Sequence, residues 1–198
     1  MPNQNTPDAQ PLRGYETLVC VGGGIAAYKT ATLVSRLAQA GCGVTVAMSE
    51  SAQRFVGPAT FEALSGRSVV TDMWNGDGEI QHLKHSERAD LMVVAPATAN
   101  TIGKLVGGIA DGVITALLLG AACPVMLAPA MNTHMWDHPA VQRNVAWLAE
   151  QGFLLVGPNS GWQACRAVGA GRMAEPEELL EAVRAQLLTS PPKNEPRD

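Results

Sequence analysis

Short runs of β-branched and apolar residues alternate along the chain with longer stretches whose apolar positions recur every three or four residues. The first run, Thr17–Val21, is followed by the stretch Ala26–Ala40, with Leu33, Val34, Leu37 and Ala38 on one face, and then by Val44–Met48. That pattern predicts a strand, a crossover helix and a second strand, a βαβ unit. Further strands are predicted at Leu91–Ala95, Val125–Ala128 and Phe153–Val156, with helices at Phe61–Ser65, Ala99–Val106, Ala110–Leu119 and Ala140–Gln151. A last helix, Pro176–Leu188, has proline in its first turn and apolar Leu179, Leu180, Val183 and Leu187.

Strands that are apolar almost throughout belong to a parallel sheet covered on both faces, and right-handed crossovers leave few ways to connect it. The expected fold class is α/β: a single doubly wound parallel sheet of the Rossmann-like or flavodoxin-like kind, with helices on both faces. At 198 residues the chain suits one domain, expected over residues 15–189. Residues 1–14 and 190–198 are rich in Pro, Asn and charge and are expected to be flexible tails.

Composition narrows the partners. A net charge of −4, with Lys and Arg scattered, gives no electrostatic footprint for nucleic acid. The longest apolar stretch, Val113–Ala122, is interrupted by Thr115 and Gly120 and falls short of the ~20 residues of a membrane span. Cys20, Cys42, Cys123 and Cys165 form no CxxC pair, and the chain opens on a polar stretch. A cytoplasmic protein with a small-molecule partner is expected.

Ligands of doubly wound folds bind beyond the carboxyl ends of the strands, so the residues that follow each strand matter most. After the first come Gly22, Gly23, Gly24, Ile25, Ala26 and Ala27, a glycine turn that serves either a phosphate or a tight strand-to-helix connection. After the second come Ser49, Glu50 and Ser51. Two hydroxyls suit a phosphate monoester, while the nearby Glu50 keeps a nicotinamide dinucleotide open. After the third, Thr98, Ala99, Asn100 and Thr101 could meet the polar edge of a flat ring or simply cap a helix. After the fourth comes Pro129-Ala130-Met131-Asn132-Thr133-His134-Met135-Trp136, either a soft apolar wall with one amide anchor or a core corner.

His134, Asp137 and His138 have helical spacing for a metal, but Pro139 follows and no further ligand cluster is near, so no metal is expected. His82 and His85 precede the third strand among charged residues; neutral imidazole is the natural base near pH 7. Cys165 lies in the glycine-rich stretch Gly161–Met173, which has little core-forming potential and reads as a mobile flap over a site.

Together the Gly23–Lys29 run, the Ala95–Thr101 segment, the Pro129–Trp136 run and the stretch Ala164–Pro176 resemble the homo-oligomeric flavin-containing cysteine decarboxylases. The resemblance covers about Thr17 to Val183, and the P-A-M-N-x-x-M-W run is its specific part. It implies FMN as cofactor, held by Gly23, Gly24, Ile25, Ser49, Glu50, Ser51, Phe55, Thr98, Ala99, Asn100, Thr101 and Ala130. It implies His82, Asn132 and Cys165 as catalytic residues, with Asn132, Met135 and Ala164 against the substrate. That substrate is implied to be phosphopantothenoylcysteine, converted to phosphopantetheine in coenzyme A biosynthesis by a trimer or dodecamer, with the substrate-forming ligase as a separate chain. Two departures stand out: the segment after His82 differs from the family's usual run, and Arg166 occupies the position after the flap cysteine where glycine is usual.

The chemistry needs these groups because an N-acylated cysteine carboxylate has no electron sink for decarboxylation. Oxidation of CH2–SH to a thioaldehyde places a C=S β to the carboxylate; loss of carbon dioxide then gives an ene-thiol, and re-reduction makes the cycle redox-neutral. In this scheme Asn132 anchors the carboxylate, His82 assists proton removal and Cys165 protonates the ene-thiol. Alternatives are a peptidyl-cysteine decarboxylase, a flavin prenyltransferase, which lacks the asparagine run, and a non-catalytic flavin-binding regulatory subunit.

Overall fold

Alternate side chains of β1 (Glu16–Val21) enter two different apolar layers, and this decides the architecture. Val19 and Val21 are buried on one face, Leu18 and Cys20 on the other. A strand buried on both faces must lie inside a sheet, and β1 is flanked by β2 (Gly43–Met48) and β3 (Leu91–Ala97), both parallel to it. β4 (Val125–Pro129) and β5 (Leu154–Leu155) complete the order β2-β1-β3-β4-β5. The computed structural model describes residues 10–73 and 86–193.

One layer packs Leu33 and Leu37 of α1 (Ala27–Gln39), Phe61 of α2 (Pro58–Ser65) and Leu179 and Val183 of α7 (Pro176–Leu187) against the sheet. The other packs Ile102 of α3 (Ala99–Val106), Leu117 of α4 (Val113–Leu119) and Leu148 of α6 (Pro139–Glu150). The sheet is parallel with helices on both faces, as the continuous apolar runs require. The strand order is that of flavodoxin-like folds.

Differences from the sequence expectation have local causes. α2 begins at Pro58, before its first buried apolar residue, because proline sits without cost at a helix start. α4 begins at Val113 instead of Ala110, since the Gly112 N–H is met by Thr115 Oγ1 at 3.3 Å. Two elements carry no periodic signal: the single-turn helix α5 (Thr133–Trp136), and an antiparallel hairpin of β6 (Asn159–Trp162) and β7 (Val168–Arg172). The hairpin occupies the stretch expected to be a mobile flap.

The described residues at both expected tails make contacts with the domain. Leu12 is fully buried and its N–H donates to Ala40 C=O at 3.0 Å. Tyr15 OH donates to Ser190 C=O at 2.9 Å, and Lys193 Nζ donates to the carbonyls of Ala89 and Ala122 at 2.9 and 3.0 Å. Among the described residues, no helix is long and apolar enough to cross a membrane.

Candidate active site

The chain runs from β1 outward to β2 and then back across β1 to β3, so a crevice opens beyond the carboxyl ends of β1 and β3. The four loops meet there. A Cβ on Gly22 would strike the Pro96 carbonyl oxygen, and one on Gly23 would strike the Ser51 side chain, so glycine is what lets the first three loops interlock. Ala130 N–H donates to Ala97 C=O at 3.0 Å and joins the fourth.

Within these loops the hydroxyls are already partly committed. Ser49 Oγ donates to Val21 C=O at 3.3 Å, accepts the Ala52 N–H at 3.1 Å and lies 3.2 Å from Ser51 Oγ. Thr98 Oγ1 accepts the Thr101 N–H at 3.2 Å, so its side chain is the N-cap of α3, the simpler of its two readings. Ser51, Glu50 and Asn100 are exposed, as are Ile25 and Phe55, while Gly24 and Ala99 are half-buried. No side chain caps α1, and although its Ala27 and Lys29 N–H groups donate to the Gly24 and Ala26 carbonyls at 3.0 Å, the helix dipole at this end favours an anion. Apolar faces, an amide, a hydroxyl and a helix amino end together fit a ligand with a flat ring and a phosphate.

Beside Ala130 stands Asn132, the N-cap of α5, whose Oδ1 accepts the Met135 N–H at 2.9 Å. That bond fixes which end of the amide remains free: the NH2 group, a donor, on an exposed residue. The two methionines divide between the two readings of this run, Met131 packing against the core and Met135 standing 44% exposed. His138 is used structurally, its Nδ1 accepting the Ala140 N–H at 3.2 Å. His82 and His85 lie outside the described residues. Among the described residues, no group of three or more His, Cys, Asp and Glu could hold a metal.

The hairpin docks onto α5. Met131 N–H donates to Gly171 C=O at 2.9 Å, and Thr133 N–H donates to Gln163 Oε1 at 3.1 Å. A Cβ on Gly169 would come within 2.5 Å of Thr133 Oγ1, so only glycine admits this approach. The buried Thr133 Oγ1 has no hydrogen-bond partner. At the tip, Gln163 and Ala167 pair at 2.9 Å and Arg166 N–H returns to Gln163 C=O at 2.8 Å, enclosing Ala164, Cys165 and Arg166. Ala164 and Cys165 are exposed, and Cys165 Sγ donates to Gln163 Oε1 at 3.4 Å. The structure thus links Cys165 through Gln163 to Thr133, the residue that follows Asn132.

Arg166 has φ 65°, the only positive φ among described non-glycine residues. Three-residue hairpin loops normally place glycine at that left-handed position. Arg166→Gly should raise stability by roughly 0.5–1 kcal/mol, the relief of a left-handed side chain less the added chain entropy of glycine. A Tm increase of about 1–4 °C checks this; an unchanged or lower Tm would contradict it.

Sequence reasoning missed the clamp beneath the hairpin. Lys29, 8% exposed, reaches Met173 C=O at 3.2 Å and Glu175 Oε1 at 3.0 Å, and Arg172 pairs with the same carboxylate. Its signal was a lysine on the Leu33–Leu37 stripe of α1. Lys29 first and Arg172 second hold the Glu175 carboxyl below its ordinary 4.5, so this clamp persists above that pH and is lost as pH falls through the lowered value.

The cysteines separate by environment. Burial pushes the Cys20 thiol up to about 12 and that of Cys42 up to about 11, and raises Cys123 as well. Iodoacetamide on the native protein should therefore label Cys165 first, by at least about tenfold over the others. Equal labelling, read by peptide mass spectrometry, would contradict the placement. A separate cleft of about 270 Å³, lined by Glu16, Thr45, Arg67 and Arg88 among others, contains none of the expected site residues.

Comparison with known proteins gives the family. Residues 5–188 match the family model described as Flavoprotein. The coenzyme A biosynthesis bifunctional protein CoaBC of Bacillus subtilis is 51% identical over 172 residues, 86% of this chain and 42% of the relative. The chain thus spans about two fifths of the length of the curated relatives it matches. A PPC decarboxylase cysteine-to-serine mutant complexed with pantothenoylaminoethenethiol superposes with TM-score 0.82 at 30% identity, over 90% of this chain and 100% of that one. The FMN-dependent cysteine decarboxylase SpaF gives 0.79 at 33% identity, over 90% and 98%. Sequence and fold together establish that the chain belongs to the Flavoprotein family.

Proposed function

We propose that this protein is an FMN-dependent decarboxylase that converts phosphopantothenoylcysteine to phosphopantetheine in coenzyme A biosynthesis. The observation that carries the reading is that the Gln163 carboxamide oxygen receives both the Cys165 thiol and the N–H of Thr133, the residue next to Asn132, beside the four loops at the β1/β3 crevice. The names of the CoaBC relatives and of the PPC decarboxylase structure support the substrate.

In this reading FMN would be held by Gly23, Gly24 and Ile25, the Ser49–Ser51 loop with Phe55, the Thr98–Thr101 segment and Ala130. When bound it supplies a two-electron sink that is filled and emptied within one turnover. The NH2 group of Asn132 donates to the substrate carboxylate, its orientation set by the cap bond to Met135 N–H. Met135 and Ala164 flank the bound cysteine end. The Cys165 thiol delivers the proton that completes the saturated product, and Gln163 Oε1 orients it. His82 assists proton removal earlier in the cycle. The ligand of the PPC decarboxylase relative is itself an ene-thiol, held by a protein that lacks one cysteine, as an unfinished last step would leave it.

The reading includes homo-oligomeric assembly as a trimer or dodecamer, for which exposed Ile25, Phe55 and Trp162 supply apolar surface. The ligase that forms the substrate is the expected upstream partner. The test is to identify the released cofactor by mass spectrometry and to compare carbon dioxide release from phosphopantothenoylcysteine with that from a peptide ending in cysteine. FMN with a preference for the pantothenoyl substrate supports the proposal. A preference for the peptide selects the peptidyl-cysteine alternative, and flavin without either activity selects a binding subunit.

A further inference from the structure

We infer that Gln163 is a positioning residue that sets the Cys165 thiol and the Asn132 turn in a fixed relation. This rests on the decarboxylase reading for its chemical meaning, though its geometry stands alone. Gln163 is 7% exposed, unusual for a glutamine on a hairpin tip, and both ends of its carboxamide are bonded. Nε2 donates to Ala170 C=O at 2.9 Å, which anchors the side chain across the hairpin and leaves Oε1 as the acceptor. That one oxygen receives the Thr133 N–H at 3.1 Å and the Cys165 S–H at 3.4 Å.

Two consequences follow from one atom serving both donors. Thr133 follows Asn132 directly, so the bond to its N–H ties the α5 turn, and with it the Asn132 amide, to the hairpin. The bond from Cys165 selects the thiol direction at the loop tip, where the adjacent Arg166 already has a left-handed backbone. An apolar side chain of similar size at position 163 would fill the space yet leave Thr133 N–H and Ala170 C=O without partners and the thiol without an acceptor. Glutamate keeps the Oε1 acceptor for both donors but turns the donor end into a carboxylate oxygen facing the Ala170 C=O, so it weakens the anchor while keeping the bonds from Thr133 N–H and Cys165.

The experiment compares wild type, Gln163→Leu, Gln163→Met and Gln163→Glu as flavin-loaded proteins, with two readouts. The first is the ratio of saturated thiol product to carbon dioxide from phosphopantothenoylcysteine. Wild type should give equal amounts, the Leu and Met variants on the order of tenfold less product per carbon dioxide, and the Glu variant a ratio between the two. The second is the rate at which iodoacetamide alkylates Cys165, which needs no turnover. It should rise about fivefold or more in the Leu and Met variants and not rise in the Glu variant.

Unchanged ratios and alkylation rates in the Leu and Met variants would overturn the inference, as would a Glu variant as impaired as they are. If wild type releases no carbon dioxide while the alkylation rates change as described, the decarboxylase reading fails and the positioning role stands. The Met variant keeps the comparison alive should the branched Leu side chain prevent folding.

Discussion

Asn132→Asp is expected to purify with its full complement of flavin and to lose carbon dioxide release by roughly two to three orders of magnitude. The two halves of that result have separate causes. Asp is as good an N-cap as Asn, so the bond to the Met135 N–H survives and α5 keeps its start. The free end of the side chain, however, changes from a donor to a second carboxylate oxygen facing the substrate carboxylate. Two like charges about 4 Å apart at an effective dielectric of ~20 repel by about 4 kcal/mol, or about a thousandfold, with solvent exposure reducing this. Asn132→Ser, which also caps but carries no charge, should lose less than the Asp variant. Measurement of kcat/KM and flavin absorbance on both variants checks the argument; equal losses would point to the missing amide donor instead of the charge.

Cys165→Ser is expected to release about one equivalent of carbon dioxide per flavin site and then stop, because the cycle cannot close without the last proton delivery. A serine hydroxyl can still donate to Gln163 Oε1, so the hairpin geometry remains. It is a far weaker acid than a thiol, and removing a positioned proton donor typically costs about 10²–10⁴-fold. Saturated thiol should therefore fall by at least about a hundredfold, with the ene-thiol recovered in its place. Continuous turnover by this variant would remove Cys165 from the last step. Arg166→Gly, by contrast, should keep activity, since it relieves the backbone without touching either side chain.

The sheet and both core layers were legible because parallel strands buried on two faces carry their pattern in every residue: Leu18 and Cys20 on one side, Val19 and Val21 on the other. The crevice was legible for the same reason, since strand ends locate it. Loop residues were read less completely. Thr98 turned out to spend its side chain on a cap, an ambiguity that only coordinates resolve. The hairpin was read as mobile because Gly161, Gly169 and Gly171 bury no side chain and show no alternation. What holds it is close backbone approach to Thr133 and one buried carboxamide, neither of which has a period. Gln163 was invisible for that reason. Lys29 could have been found as a charge placed on an apolar stripe, which implies a buried partner.

The claim that this chain runs a redox-neutral decarboxylation is tested most directly by stoichiometry. The flavin-loaded protein, without oxygen or any nicotinamide, is given phosphopantothenoylcysteine in large excess, and carbon dioxide and phosphopantetheine are measured together. The account predicts many turnovers with the two products equal throughout. Carbon dioxide release that stops at about one equivalent per flavin, or none at all, would contradict it.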